Sequence, residues 1–364
     1  MKATPPMSAD PEFFASEHAQ KLDWPKLGAY LHERGMRFSP EPPPRQFIGG
    51  FGNLNYLLTI DGTPCVLRRP PMGPLPPGGN DMAREFRVLS AIHGKFPLAP
   101  RAFAFCDDVA ILGAPFFIME YRPGLVMRRT VPPELRGKGR ELSQMIVDVL
   151  AEFHAIDPKE VGLDGFGKPE GFLQRAVDGW IKRCAVASKD VYKDGEPCKP
   201  AREVAAWLMQ QKVPAGDITL IHNDFKFDNI ILDPKQPTRP IAVLDWDMCT
   251  RGDPLFDLGT LVGYWIQPGD PKAMHEMGQI PAAGGDGFLS RHEVVDLYAR
   301  KTGRDMSGFQ FIRVLTQFKL AVIFLQIYAR FCRGNTADPR IGALGPTCDG
   351  LFEFAHDVAM GRTF

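Results

Sequence analysis

The 364-residue chain carries no net charge: Lys+Arg and Asp+Glu number 43 each. That balance removes the global electrostatic argument for a nucleic-acid or anionic-membrane partner, and leaves only a local basic pocket for an anionic substrate. The seven cysteines (Cys65, Cys106, Cys184, Cys198, Cys249, Cys332 and Cys348) contain no C-x-x-C pair. An odd count without pairing argues against a zinc ribbon and against a disulfide framework. Scattered free thiols suit a reducing compartment. The opening MKATPPMSADPEFF lacks the apolar core of a secretory signal. The longest apolar stretch, around Leu320–Ile327, falls far short of a membrane span. Internal repeats and long low-complexity segments are missing as well. These absences together point to a cytoplasmic protein with no nucleic-acid and no membrane partner.

What is present is the composition of a globular protein, 44% apolar and 24% charged, in a length that suits one large two-lobed domain or two ordinary ones. Asp23 to Gly35 reads as a short helix with Asp23 as cap, Pro25 early and Gly35 as stop. Residues 45–69 read as two or three consecutive antiparallel strands, with a glycine-rich turn between the first two and Asp61-Gly62 before the last. After a loop over residues 70–80, Phe86, Leu89 and Ile92 follow helical spacing. Ala102–Cys106 and Pro115–Glu120 read as strands. Arg122-Pro123-Gly124 then punctuates the chain, and helical patterns dominate beyond it, over residues 140–155, 171–188, 199–212, 254–265, 290–302 and 305–331. A strand–loop–strand unit is expected over 219–242 and a loop over 269–287. The expected architecture is α+β, with an antiparallel-sheet N-lobe over residues 1–120 and a mainly helical C-lobe over residues 121–364.

The chemistry concentrates in IHNDFKFDNIIL, Ile221–Leu232, followed by AVLDWD, Ala242–Asp247. Apolar runs flank a polar loop that holds Asp224, Lys226 and Asn229 as D-x-K-x-x-N. Phosphoryl transfer explains these residue types. A hydroxyl nucleophile must be oriented and lose its proton, which suits Asp224. The transferred phosphoryl group spreads negative charge over its oxygens, which suits Lys226. Magnesium takes hard oxygen ligands, which Asn229 and Asp245 offer. The spacing matches the protein-kinase catalytic loop, with Asp as base and Asn as magnesium ligand.

The order His222, Asp224, Asn229, then Asp245-Trp246-Asp247, Gly252-Asp253-Pro254 and Asp257-Leu258 closely resembles the aminoglycoside phosphotransferase superfamily. The resemblance implies a protein-kinase-like two-lobed fold and an ATP- and Mg2+-dependent phosphotransferase with an alcohol group as acceptor. It implies that Gly50, Phe51, Gly52 and Asn53 cover the ATP phosphates, that Arg68 stands where kinases place a lysine, and that Glu85 pairs with it. The strand end at Glu120 with Tyr121 resembles the hinge that holds adenine. His222 is expected to support the loop structurally and Asp257 to brace it from behind.

VLRR-PP followed by R-E-x-R-V-L further resembles the kinase domain of long acyl-CoA dehydrogenase fusions and their bacterial hydroxyacyl-CoA kinase relatives. The implied acceptor is a small-molecule hydroxyl, best a hydroxyacyl-CoA thioester, with a separate acyl-CoA dehydrogenase-like enzyme as functional partner. An aminoglycoside, choline-like or sugar kinase is the alternative within the same chemistry. A non-catalytic nucleotide-binding pseudokinase is the alternative of another class. Arg175, Lys182, Arg183, Arg330 and Arg333 read first as solvated residues and second as contacts for a CoA phosphate. The stripe Phe311, Leu315, Phe318, Ala321, Leu325 and Tyr328 reads as core.

Overall fold

Strand alternation and helical spacing build two units in the computed structural model, which describes residues 12–48, 52–73, 79–128, 130–279, 286–336 and 338–364. The first unit takes in the described residues up to Val126, with Val161–Leu163 and Asn229–Cys249. The second comprises the described residues of Met127–Glu160, Asp164–Asp228 and Thr250–Phe364.

In the first unit an antiparallel sheet runs in the order Phe38–Ser39, Leu54–Ile60, Thr63–Arg69, Phe116–Glu120, Ala102–Cys106, with Arg45–Gln46 also paired to Leu54–Ile60. Leu54–Ile60 alternates buried and half-buried positions, as its sequence alternates. The hairpin to Thr63–Arg69 closes on Asp61-Gly62, at φ 49° and 74°, the backbone that a tight two-residue hairpin turn demands. One face packs Leu58, Leu67, Phe116 and Ile118 against Leu27 and Leu31 of the Trp24–His32 helix. Each such fully buried side chain contributes roughly 1.5–3 kcal/mol. That helix starts as its sequence requires, with the Asp23 carboxylate accepting from the Lys26 amide at 3.1 Å and Pro25 in its first turn. The Met82–Ile92 helix is capped in the same way by Asp81.

A smaller sheet in this unit orders Pro240–Val243, Ile230–Leu232, Leu125–Val126. Gly124 makes it possible. A Cβ there would lie 2.4 Å from the Ile231 side chain and 2.5 Å from the Leu232 carbonyl oxygen. The region expected as one strand–loop–strand unit divides between two sheets. Thr219–Ile221 pairs with Thr250–Gly252 in the second unit, and Ile230–Leu232 pairs with Pro240–Val243 in the first.

The second unit is mainly helical. Its longer helices are Gly139–His154, Phe172–Val191, Lys199–Gln210, Pro254–Gly263, Arg291–Thr302, Phe309–Cys332 and Gly345–Ala359. Phe309–Cys332 is the core helix, with Leu315, Phe318, Ala321 and Leu325 at 0% exposure. The apolar run Leu320–Ile327 is only its middle. The 24-residue helix contains an 18-residue window with the hydropathy of a membrane span, but 72% of that window is buried within the protein. It begins four residues later than its sequence pattern suggests, because the Asp305 carboxylate accepts from the Ser307 amide at 2.9 Å in a separate turn. Gly345–Ala359 is absent from the sequence expectations. Its Gly-Pro start reads as a break, but proline in the first helical turn is favourable.

Candidate active site

Arg68 is the hub of the first unit's polar cluster. It is 7% exposed. Its Nε donates to Glu85 Oε2 at 2.7 Å, and its Nη2 donates to Asp245 Oδ1. Glu85 lies in the first turn of Met82–Ile92 and is fully buried; its Oε1 accepts from the Trp246 amide at 3.3 Å. Burial pushes the Glu85 carboxyl up, to about 7, Arg68 pulls it back down, and Asp245 and Asp247 push it up again. The same carboxylates overcome the burial of Arg68 and hold it charged. Asn80, at φ 58°, donates from its side chain to the Gly52 carbonyl. Gly50 and Phe51 lie outside the described residues.

Asn229 and Asp245 belong to this unit too. The Leu244 amide donates to the Asn229 carbonyl at 2.8 Å, which pairs the chain before one residue with the chain at the other. Asp245 follows Pro240–Val243 and takes φ 69°, a left-handed backbone that costs a non-glycine residue on the order of 1 kcal/mol. Trp246 anchors this bend. Its indole N–H donates to the Val243 carbonyl at 2.8 Å, and its ring meets Phe96 edge-on.

Asp224 and Lys226 stand in the second unit, on the loop after Thr219–Ile221. Asp257, in the first turn of Pro254–Gly263, is fully buried and grips that loop from below. Its carboxylate accepts from the His222 amide at 2.5 Å and the Asn223 amide at 2.6 Å. It lies 3.2 Å from His154 Nε2, while His154 Nδ1 lies 2.7 Å from the Tyr298 hydroxyl. Burial pushes His154 below its ordinary value, so the contact with Asp257 is a hydrogen bond from a neutral ring. The tautomer follows: Nε2–H donates to Asp257 and Nδ1 accepts from Tyr298. His222 is 0% exposed, and its Nδ1 accepts from the Asp224 amide at 3.3 Å.

Lys226 Nζ donates to both oxygens of Asp224, at 2.8 and 3.1 Å, and lies 4.7 Å from the centre of the Tyr264 ring. Burial opposes its charge, but Tyr264 and Asp224 raise it above the ordinary lysine range. Asp228 is pushed up to about 6 by burial. Lys319 Nζ donates to the Asn223 carbonyl at 2.6 Å.

Glu120 accepts from the Arg101 amide at 3.1 Å and from Arg122 Nη2 at 2.7 Å. The Tyr121 ring lies 6.2 Å from that of Phe47. Among the basic residues read first as solvated and second as CoA contacts, Arg175 is engaged by the carbonyls of Lys168 and Glu170, and Arg333 by Asp190 at 2.8 Å. Sequence reasoning missed Asn80, His154, Tyr264 and Lys319. Only Lys319 carried a signal, a lysine set in a helix whose neighbours are apolar.

Residues 44–288 match the phosphotransferase enzyme family. Acyl-CoA dehydrogenase family member 11 of Gallus gallus is 30% identical over 344 residues, which cover 91% of this chain and 43% of that protein. The Homo sapiens protein of the same name is 31% identical, with 87% and 40% covered. The chain thus spans less than half the length of these relatives. Among solved structures, a Ralstonia eutropha JMP134 protein assigned to the aminoglycoside phosphotransferases superposes with a TM-score of 0.76 at 26% identity, over 94% of this chain and 99% of that one. Aminoglycoside phosphotransferase APH(4)-Ia, as a thermostable mutant with ADP and hygromycin B, gives 0.56 at 16% identity over 90% and 98%, a likeness of fold alone. The architecture is the protein-kinase-like α+β fold, with an antiparallel-sheet N-lobe and a mainly helical C-lobe.

Proposed function

Because this chain belongs to the phosphotransferase enzyme family, we propose that it is a small-molecule kinase that moves the γ-phosphate of ATP to a hydroxyl group. The observation that carries this reading is the setting of Asp224. Its loop is braced by buried Asp257, and the Lys226 ammonium lies on its carboxylate. A carboxylate held in one position by charged neighbours suits a group that must orient a hydroxyl and take its proton.

In this reading Asp224 is the catalytic base, and Lys226 balances charge that develops on the phosphoryl oxygens. Arg68, aimed by Glu85, grips phosphate oxygens through its planar fork. Gly52 and Asn53, with Gly50 and Phe51, cover the phosphates through backbone amides, and the backbone at Glu120 and Tyr121 receives adenine. His222 and Asp257 support the loop. Residues 1–120 then act as the nucleotide lobe and 121–364 as the lobe of the catalytic loop and the acceptor. Asn229 and Asp245 offer an amide oxygen and a carboxylate, the hard donors that magnesium takes beside phosphate oxygens and water, and one backbone hydrogen bond links their two segments. When bound, the ion neutralises charge on the phosphates.

For the acceptor we favour a hydroxyacyl-CoA or a related hydroxy acid derivative, acting in the cytoplasm beside a separate acyl-CoA dehydrogenase-like enzyme. The names of the relatives support this, since the chain matches less than half of proteins called acyl-CoA dehydrogenases. The test is ATP consumption against a panel of hydroxyacyl-CoAs, free hydroxy acids, amino sugars and choline. Turnover with a hydroxyacyl-CoA is expected, and its loss in Asp224→Asn with magnesium–ATP binding retained. Turnover confined to amino sugars, choline or other sugars would move the acceptor class. Nucleotide binding without turnover on any acceptor would make the chain a pseudokinase.

A further inference from the structure

Lys319 has no part in the reaction as proposed, yet its side chain ends on the loop that carries Asp224. It sits mid-way along Phe309–Cys332, 4% exposed, with Leu315, Phe318 and Val322 fully buried around it on the same helix. An ammonium in such a place is costly unless its donors are used. Here they are. Nζ donates to the Asn223 carbonyl at 2.6 Å, to Asn223 Oδ1 at 3.3 Å and to Thr260 Oγ1 at 3.3 Å, and it faces the Phe256 ring at 4.9 Å. Burial pushes the group down, to about 8; Asp224 and Asp257 raise it and Lys226 lowers it.

The residue that Lys319 holds is unusual. Asn223 takes φ 73°, one of four non-glycine residues with a left-handed backbone among the described residues. Its amide N–H goes to the Asp257 carboxylate at 2.6 Å, and its carbonyl goes to Lys319. A buried anion and a buried cation thus clamp the two ends of a single residue. The carbonyl end belongs to the peptide bond that leads into Asp224. The orientation of that peptide sets the direction in which the Asp224 side chain leaves the backbone.

We propose that Lys319 is a positioning residue for phosphoryl transfer: it clamps the Asn223 carbonyl and so aims Asp224 at the acceptor hydroxyl. The inference rests on the reading of Asp224 as the base. It assigns to the core helix a share in the reaction that its apolar stripe conceals.

The test uses the full chain with Lys319→Met and Lys319→Gln. A clamp acts on the chemical step, so Lys319→Met should lower kcat about 100-fold, the cost of a misplacement of about 1 Å, while KM for ATP stays within about threefold. Lys319→Gln keeps a donor of similar reach and should recover part of that loss. Amide hydrogen exchange gives a readout that does not depend on turnover: protection at His222, Asn223 and Asp224 should fall in Lys319→Met more than in the strands Ile230–Leu232 and Pro240–Val243. If Lys319→Met does not fold, the Gln variant decides, since a clamp requires its kcat to fall and its ATP affinity to hold. Unchanged kcat in a folded variant, or unchanged exchange in the loop, overturns the clamp. A wild-type chain that moves no phosphate to any acceptor overturns instead the reading on which it rests, and the exchange experiment separates the two failures.

Discussion

The guanidinium of Arg68 bonds directly to the carboxylate of Asp245, so the residue proposed to grip phosphate and the residue proposed to hold magnesium restrain each other. Glu85 completes the arrangement from the buried side, at 2.7 Å from Arg68 Nε. Arg68→Ala would strand a buried carboxylate, and loss of one partner of a buried ion pair costs roughly 3–5 kcal/mol. A drop of that size in urea unfolding is expected. Arg68→Lys keeps the charge but not the planar fork that serves Glu85 and Asp245 together. It should fold with a smaller loss and raise KM for ATP about 10- to 100-fold, the value of a charged hydrogen bond. An Arg68→Ala protein as stable as wild type would show that the pair is not the anchor of this unit.

Gly124 makes a cleaner test of packing, because no chemistry is attributed to it. The Cβ of an alanine there would stand 2.4 Å from Ile231 and 2.5 Å from the Leu232 carbonyl, far inside contact distance. One of these is backbone and cannot swing away. Gly124→Ala should therefore cost about 1–3 kcal/mol through overpacking. A melting temperature equal to that of wild type would mean that the small sheet yields more than its pairing suggests.

The sheet and most helices were legible because their signals are local. Asp23 before Trp24 and Asp81 before Met82 are caps that the chain uses as written, and Asp61-Gly62 is a turn that admits one strand pairing. The family was legible because His222, Asp224, Asn229 and Asp245 follow one another within a short stretch of chain, inside the residues 44–288 that match the phosphotransferase enzyme family. What stayed hidden depends on contacts distant in sequence. His154 and Asp257 lie 103 residues apart and Lys319 and Asn223 lie 96 apart, and no periodicity links either pair. The exchange of partners by Thr219–Ile221, which joins Thr250–Gly252 and not the strand that follows it, is likewise a tertiary choice among short apolar runs of similar character.

Lys226 gives the third prediction. Its ammonium touches both oxygens of Asp224, and the Tyr264 ring lies 4.7 Å from it. Lys226→Met removes a charge opposite the proposed transition state and leaves the loop's backbone contacts with Asp257 in place. The expected outcome is a 10²- to 10³-fold loss of kcat, about that of removing one preorganised donor, with little change in melting temperature. Steady-state kinetics beside thermal denaturation checks both parts. Equal losses in kcat and stability would mark Lys226 as a structural lysine.

Asp257 gives a prediction with a defined pH sign. Burial alone would push its carboxyl up, but the hydrogen bond from His154 and the backbone N–H of His222 hold it below the ordinary carboxylate range. The unfolded chain therefore takes up this proton at a higher pH than the folded chain does. The stability that Asp257 provides is complete above the unfolded value, about 3.9, and is lost as pH falls through the lower folded value. His154 acts in the same direction from higher pH. Its ring is held neutral, so protonation of the unfolded chain begins near 6.5 and pulls against the fold as pH drops. Asp257→Asn keeps one acceptor oxygen and loses the charge, at a cost on the order of 3 kcal/mol near neutral pH. Urea unfolding of both proteins from pH 7 to pH 3 should show that gap narrow below about pH 4, as the wild type gives up the charge that the variant never had. A gap that stays constant across the range would mean that Asp257 does not hold the loop as a carboxylate.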